Sequence, residues 1–158
     1  HVETALNLDT TSGERYRLLG RVRDELGLFP EAELFYREAL KIDAEDVWAM
    51  NNLGLSLIRQ GKLERAVGVL ARVTQVKPDV PRFHNNLGMA LELNGYFTAA
   101  AVAYQAAVTL DGSYQKAIDN LARVSELKDK PGIPPLDLGV AAKTFADEIE
   151  GSKGTTQQ

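Results

Sequence analysis

Apolar and polar positions follow the three-to-four spacing of an amphipathic helix in successive blocks of this chain. In one block, Met50, Leu53 and Leu57 fall on one helical face. A turn containing Gly61 follows, and a second amphipathic stretch begins at Leu63. Each block therefore predicts two helices of about 14 residues joined at a glycine. The chain as a whole predicts an all-α fold.

The blocks recur at a fixed interval. The tetrapeptide Asn-Asn-Leu-Gly occupies 51–54 and again 85–88, 34 residues later, and defines units 13–46, 47–80 and 81–114. Small residues recur at positions 8, 20 and 27 of each unit, and position 24 is large. Because a glycine inside a helix costs roughly 1 kcal/mol, we expect the glycine at position 8 to allow a close approach of two helix backbones. We expect position 24 to pack against the next unit.

This pattern resembles the tetratricopeptide repeat family, whose unit is also about 34 residues long. The resemblance implies a solenoid of helix-turn-helix repeats that forms a right-handed superhelix, with the first helices lining a concave groove. It also implies a C-terminal capping helix, for which residues 115–127 are the candidate. Residues 2–12 match the end of an upstream second helix, so we expect a truncated upstream repeat.

A tail follows the repeats. Prolines and a glycine over 128–136 predict an extended linker, 137–150 predicts an amphipathic helix, and 151–158 is expected to be disordered. Because so short a helix is marginal alone in water, we expect it to dock in an apolar groove. That groove is either its own or a second molecule's, which would give self-association. The alternative is that the helix packs on the cap or continues into a partner-binding region. The docking face contains Leu138, Ala142, Phe145 and Ile149.

Side chains outside the packing stripe of the first helices are the candidate binding residues. Asparagine recurs at position 6, and its amide can bond a peptide backbone with two donors and an acceptor. The alternative is that these amides bond within the stack. An apolar centre between charges of both signs favours a peptide or helical segment as partner. The candidates are Arg17, Arg21, Trp48, Asn52, Leu55, Ile58, Arg82, Asn86, Met89 and Asn120.

Chaperone-binding members of the family hold a terminal carboxylate with a clamp of Lys, Asn, Asn, Lys and Arg. By repeat position, this chain has Arg17, Arg21, Asn52, Arg82 and Asn86 instead. Only Asn52 keeps the family's residue, so the resemblance does not favour a carboxylate clamp here.

Composition narrows the function further. A net charge of −4 does not favour nucleic acid, and no apolar run approaches the roughly 20 residues of a membrane span. No nucleophile, metal-ligand or phosphate-loop pattern is present, so we expect neither an enzyme nor a cofactor nor a metal site. The prediction is a protein-interaction scaffold of bacterial type, resembling components of pilus, secretion or envelope assembly. It would work in the cytoplasm or periplasm, including on a membrane-associated complex. The alternative is a regulatory or substrate-recruiting segment of a larger enzyme.

Overall fold

The structure, a computed structural model, describes residues 11–154. Within this range the chain forms eight α-helices. Nearly all of the predicted upstream repeat end, and the last four residues of the tail, lie outside it. The helices are α1 Ser12–Glu25, α2 Phe29–Ile42, α3 Val47–Arg59, α4 Leu63–Val76, α5 Pro81–Leu93, α6 Phe97–Leu110, α7 Gln115–Ser125 and α8 Leu138–Lys153.

The helices pack in pairs that stack in chain order. Helix α1 packs against α2, α3 against α4 and α5 against α6, and α7 covers α6. Successive pairs are joined by contacts of α2 with α3 and of α4 with α5. The first helices also touch, α1 with α3 and α3 with α5. The repeats thus form two layers, one of first helices and one of second helices. In this part of the chain no helix is long and apolar enough to cross a membrane.

A glycine closes each turn between the helices of a repeat. Gly27, Gly61 and Gly95 have φ of 74°, 73° and 85°, a left-handed conformation that side chains other than glycine rarely adopt. In the second repeat, the Lys62 amide then bonds the Leu57 carbonyl at 2.9 Å. The turn predicted at these glycines is therefore present, with a defined backbone reason.

Position 8 is glycine for a different reason from the predicted close approach of two helix backbones. A Cβ at Gly20 would lie 2.5 Å from Cε1 of Tyr36, and one at Gly54 would lie 2.5 Å from Cγ of Leu70. The third repeat has the same arrangement. The close neighbour is therefore the position-24 side chain of the same repeat and not a second helix backbone.

Helix α8 packs on the layer of second helices, on α4 and beside it on α2. Ala142, Phe145 and Ile149 are buried there and belong to the core cluster, and Leu138 packs against that cluster. The surface that covers the predicted apolar face thus belongs to the same chain. It lies on the second helices, however, whereas the sequence placed it in the groove of the first helices.

The tail helix also ends later than the sequence indicates. The sequence predicts a helix over 137–150 with disorder beyond, but α8 continues through Gly151 to Lys153. The Ser152 hydroxyl donates to the Ile149 carbonyl at 2.7 Å, and Lys153 pairs with Glu150 at 2.9 Å. These contacts hold the last turn in spite of the glycine.

Candidate functional site

A cleft of about 210 Å³ opens between α1 and α3, in the layer of first helices. Its walls are set by helical spacing, since residues three or four apart lie on the same helix face. Both helices therefore present a short row of side chains to one gap. The lining residues are Arg21, Asp24 and Glu25 of α1, Tyr36 of α2, and Asn52, Leu55 and Arg59 of α3.

A carboxylate lies at the base of this cleft. The Asp24 side chain is 10% exposed, and its Oδ2 accepts a hydrogen bond of 2.7 Å from the Tyr36 hydroxyl. Arg59 Nη1 lies 3.6 Å from the same oxygen. The other oxygen, Oδ1, is buried without a hydrogen-bond partner among the residues described. Burial raises the pKa of Tyr36, and the bond to Asp24 raises it further, so the phenol remains a neutral donor.

A similar cluster recurs in the third repeat. The Tyr104 hydroxyl donates to Glu92 Oε2 at 2.7 Å, and Arg123 Nη2 lies 2.8 Å from that oxygen. Burial opposes ionisation of Glu92, but hydrogen bonds from Arg123 and Tyr104 outweigh it and lower its pKa. The second repeat has Leu70 and Ile58 at the corresponding positions. The tyrosine–carboxylate pair therefore occurs in the first and third repeats and is replaced by two apolar side chains in the second.

Most of the recurring asparagines are used inside the stack. Asn86 Nδ2 donates to Asn51 Oδ1 at 2.8 Å, and Asn120 Nδ2 donates to Asn85 Oδ1 at 3.0 Å. In each pair, the amide at position 6 bonds the amide at position 5 of the preceding unit. Asn86 is only 6% exposed. These two amides therefore follow the alternative in which asparagine orders the stack.

Asn52 differs from the other position-6 asparagines. The preceding unit has Arg17 at position 5, and Arg17 is ion-paired with Asp46 at 2.7 Å. Asn52 is half-buried and lines the cleft. Its amide is therefore the one among the position-6 asparagines that is placed for a ligand.

Trp48 lies at the other end of the α1–α3 contact. It is 44% exposed, and its ring meets Phe83 edge to face with 5.2 Å between centroids. Trp48 and Arg17 line a separate pocket near the start of α3. The half-exposed indole is thus partly used as cover for a buried phenylalanine.

The structure brings three of the predicted groove residues into one cleft: Arg21, Asn52 and Leu55. The remaining predicted residues do not line it: Arg17, Trp48, Ile58, Arg82, Asn86, Met89 and Asn120. Among the described residues, no group of three or more histidines and carboxylates could hold a metal ion.

Four lining residues are not among the candidates predicted from the sequence: Asp24, Glu25, Tyr36 and Arg59. Tyr36 fills a core position, and its hydroxyl bonds Asp24 at the base of the cleft. The available signal was the change from Leu70 to tyrosine at position 24, because a buried tyrosine needs a partner for its hydroxyl.

We expect Asn51→Ala to lower the free energy of unfolding by about 1–3 kcal/mol, because it removes the acceptor of the buried Asn86 amide. The matched control is the neighbouring Asn52→Ala, which should change stability by less than about 0.5 kcal/mol. Urea denaturation followed by circular dichroism measures both. Equal losses for the two variants would contradict the assignment of their roles.

Comparison with known proteins agrees with this architecture. Sequence models of the tetratricopeptide repeat match residues 14–46 and 51–124, together more than half of the chain. The chain belongs to the tetratricopeptide repeat family. It is 30% identical over 112 residues to human tetratricopeptide repeat protein 7A, which covers 71% of the chain but 13% of that protein. The chain therefore spans only a small part of this relative.

Solved structures share the fold at low sequence identity. The first repeat domain of Spaghetti (RPAP3), bound to the HSP90 peptide SRMEEVD, has a TM-score of 0.71 and 16% identity. That match covers 75% of this chain and 94% of the other. The TPR2B domain of yeast Sti1, in complex with an Hsp70 peptide, has a TM-score of 0.70 and 19% identity over 73% and 98% of the two chains.

Proposed function

We propose that this chain is a protein-interaction scaffold that binds a peptide or helical segment of a partner in the α1–α3 cleft. The observation that carries the proposal is the cleft itself, which sets the Asn52 amide beside the apolar Leu55 and two arginines. At about 210 Å³ it is smaller than the roughly 300–1,000 Å³ of small-molecule sites. A cleft of this size suits a few side chains of a peptide better than a cofactor.

The residues that line the cleft indicate which chemical groups a bound segment would present to it. The amide of Asn52 can donate to and accept from a peptide backbone, and Leu55 offers apolar contact. Arg21 and Arg59 are balanced by Asp24 and Glu25, so we do not expect a strongly charged ligand. Arg17 is already paired with Asp46, which argues against capture of a terminal carboxylate. Peptide complexes of other members of this fold class support the general mode of binding.

We expect Leu55→Asp to reduce binding of a groove-directed peptide at least tenfold, since it places a charge on the apolar wall. The probe is a peptide selected from a random displayed library on the wild-type protein, with affinity measured by fluorescence anisotropy. Leu34→Asp is the control, because Leu34 is 65% exposed on a second helix. Peptides that bind both variants as well as wild type would place the binding surface elsewhere.

We propose that the scaffold takes part in the assembly of a bacterial pilus, secretion or envelope complex. Its support is the family resemblance and the alanine-, arginine- and leucine-rich composition. A photo-crosslinking residue at position 55, used in cells, would identify the bound protein. A captured protein from outside such assemblies would overturn this part of the proposal and leave the scaffold function standing.

A further inference from the structure

The outer face of α4 differs from the corresponding faces of α2 and α6. Val67 and Ala71 are 1% and 2% exposed, and Gly68 between them is also buried. Leu34 and Val102 share the repeat position of Gly68 and are 65% and 69% exposed. Helix α4 is therefore apolar on the side that its counterparts expose, as expected for a helix covered on both sides.

Gly68 lies where α8 crosses α4. A Cβ at Gly68 would lie 3.0 Å from the Ala141 carbonyl oxygen and 3.9 Å from Phe145 Cβ. The two backbones thus meet with no side chain between them, and Phe145 and Ile149 continue the contact along α4. Arg37 of α2 lies 3.9 Å from Glu148 of α8. The surface therefore fits a helix with a small residue at the crossing, then an aromatic, an acidic and an aliphatic residue.

The linker is anchored mainly away from this contact. Asp129 accepts a 2.9 Å hydrogen bond from the Thr98 amide at the start of α6, and Ile133 lies near Gly95. The chain between Ser125 and Leu138 contains three prolines and no helix. Leu136, at the end of the linker, also packs against the core cluster, and the rest of the contact between α8 and α4 is made by the two helices themselves.

We propose that the outer face of α4 also accepts α8 from a second copy of this chain. Every copy has both halves of the contact, so an exchanged pair would keep the crossing at Gly68 and the burial of Phe145. Exchange of an identical element is a low-cost route to a dimer. The tail of the same chain competes at an effective concentration on the order of millimolar. The wild type is therefore monomeric when dilute, and exchange occurs when copies are concentrated or held together on an assembly.

This surface is separate from the proposed peptide cleft. The cleft is lined by α1, α2 and α3, whereas the tail docks on the outer side of α4 and α2. The residues named in the contact between α8 and the second helices do not line the cleft. Exchange of α8 between copies therefore does not depend on whether the cleft binds a peptide.

Two variants of the 158-residue chain test the proposal, one that blocks the docking surface and one that disrupts the tail. Gly68→Leu blocks the surface but leaves an intact tail, and the repeat tolerates leucine there because Leu34 occupies that position in α2. Phe145→Asp breaks the tail and leaves the surface vacant. We expect each variant alone to be monomeric by light scattering, and an equimolar mixture to form a heterodimer of twice the 17.3 kDa chain mass.

A matched control replaces Phe145→Asp with Val140→Asp, on a residue of α8 that is 62% exposed. Its tail stays docked, so the mixture with Gly68→Leu should remain monomeric. As a second measurement, a labelled peptide of residues 136–154 should bind Phe145→Asp and fail to bind the double variant with Gly68→Leu. A monomeric mixture of folded variants, together with no peptide binding to Phe145→Asp, would overturn the proposal.

Discussion

Gly54→Ala is expected to lower the free energy of unfolding by about 2 kcal/mol, although alanine is the better helix former by about 1 kcal/mol. The added Cβ would lie 2.5 Å from Cγ of Leu70, which is fully buried. That atom is close to the backbone, so the leucine has little room to move aside. Overpacking of this kind costs typically 1–3 kcal/mol and occasionally more. Urea denaturation monitored by circular dichroism gives the change directly.

The contact can be isolated with two further variants. Gly151→Ala, in α8, adds a Cβ that meets nothing within 4 Å, and it should leave stability unchanged or slightly higher. Gly54→Ala combined with Leu70→Ala should lose at least about 1 kcal/mol less than the sum of the single losses, because one change relieves the crowding of the other. Additive losses would show that the glycine does not accommodate Leu70.

The helical layout was predictable from sequence because it depends on local periodicity and on glycine. The 34-residue step fixed the units, and the positive φ of Gly61 lies where the turn was expected. Periodicity does not identify the neighbour of a small residue. The partner of Gly54 is Leu70, 16 positions along in the same repeat, and only the packing of the pair shows this.

The docking of the tail helix was only partly predictable from sequence. Its apolar stripe was readable, and Phe145 and Ile149 are buried as that stripe requires. Its docking surface was also encoded, in the apolar run Val67, Gly68 and Val69, where the other repeats expose a large side chain. The signal emerges only when the second helices are compared with each other at one position.

The roles of the position-6 asparagines could not be predicted from sequence, because identical residues at equivalent positions have different roles. Asn52 and Asn86 both occupy position 6, but Asn86 is bonded to Asn51 and Asn52 faces the cleft. The difference arises from Arg17, which stands where the partner asparagine would be. A residue's availability for a ligand therefore depends on the preceding repeat as much as on its own.

A buried carboxylate links the first two repeats in the layer of second helices. Glu33 of α2 is 7% exposed. Its oxygens accept hydrogen bonds from Lys62 and Arg65, each at 2.9 Å, and from Gln60 at 3.1 Å. Burial opposes its ionisation, but the bonds from Lys62 and Gln60 and the charge of Arg65 prevail and lower the pKa of Glu33 from 4.5 to about 2.

This shift predicts a stability that depends on pH. Because the pKa of Glu33 is lower in the folded state, its contribution is complete above about pH 4.5 and is lost as the pH falls towards 2. The shift corresponds to about 3 kcal/mol at most, and screening at Lys62 and Arg65, which are 40% and 43% exposed, reduces this to roughly 2 kcal/mol. We expect Glu33→Gln to be less stable than wild type by that amount at pH 7, and by progressively less towards pH 2.

Urea denaturation of both proteins between pH 7 and pH 2 measures this difference, in which titration of the other carboxylates largely cancels. Glu31→Gln is the matched control, since Glu31 lies on the same helix but is 55% exposed in its pair with Arg23. An exposed pair of this kind contributes about 0–1 kcal/mol, so its variant should follow the wild-type pH profile closely. A constant difference between wild type and Glu33→Gln down to pH 2 would show that Glu33 stabilises the repeat junction through packing, because loss of its charge would then change nothing.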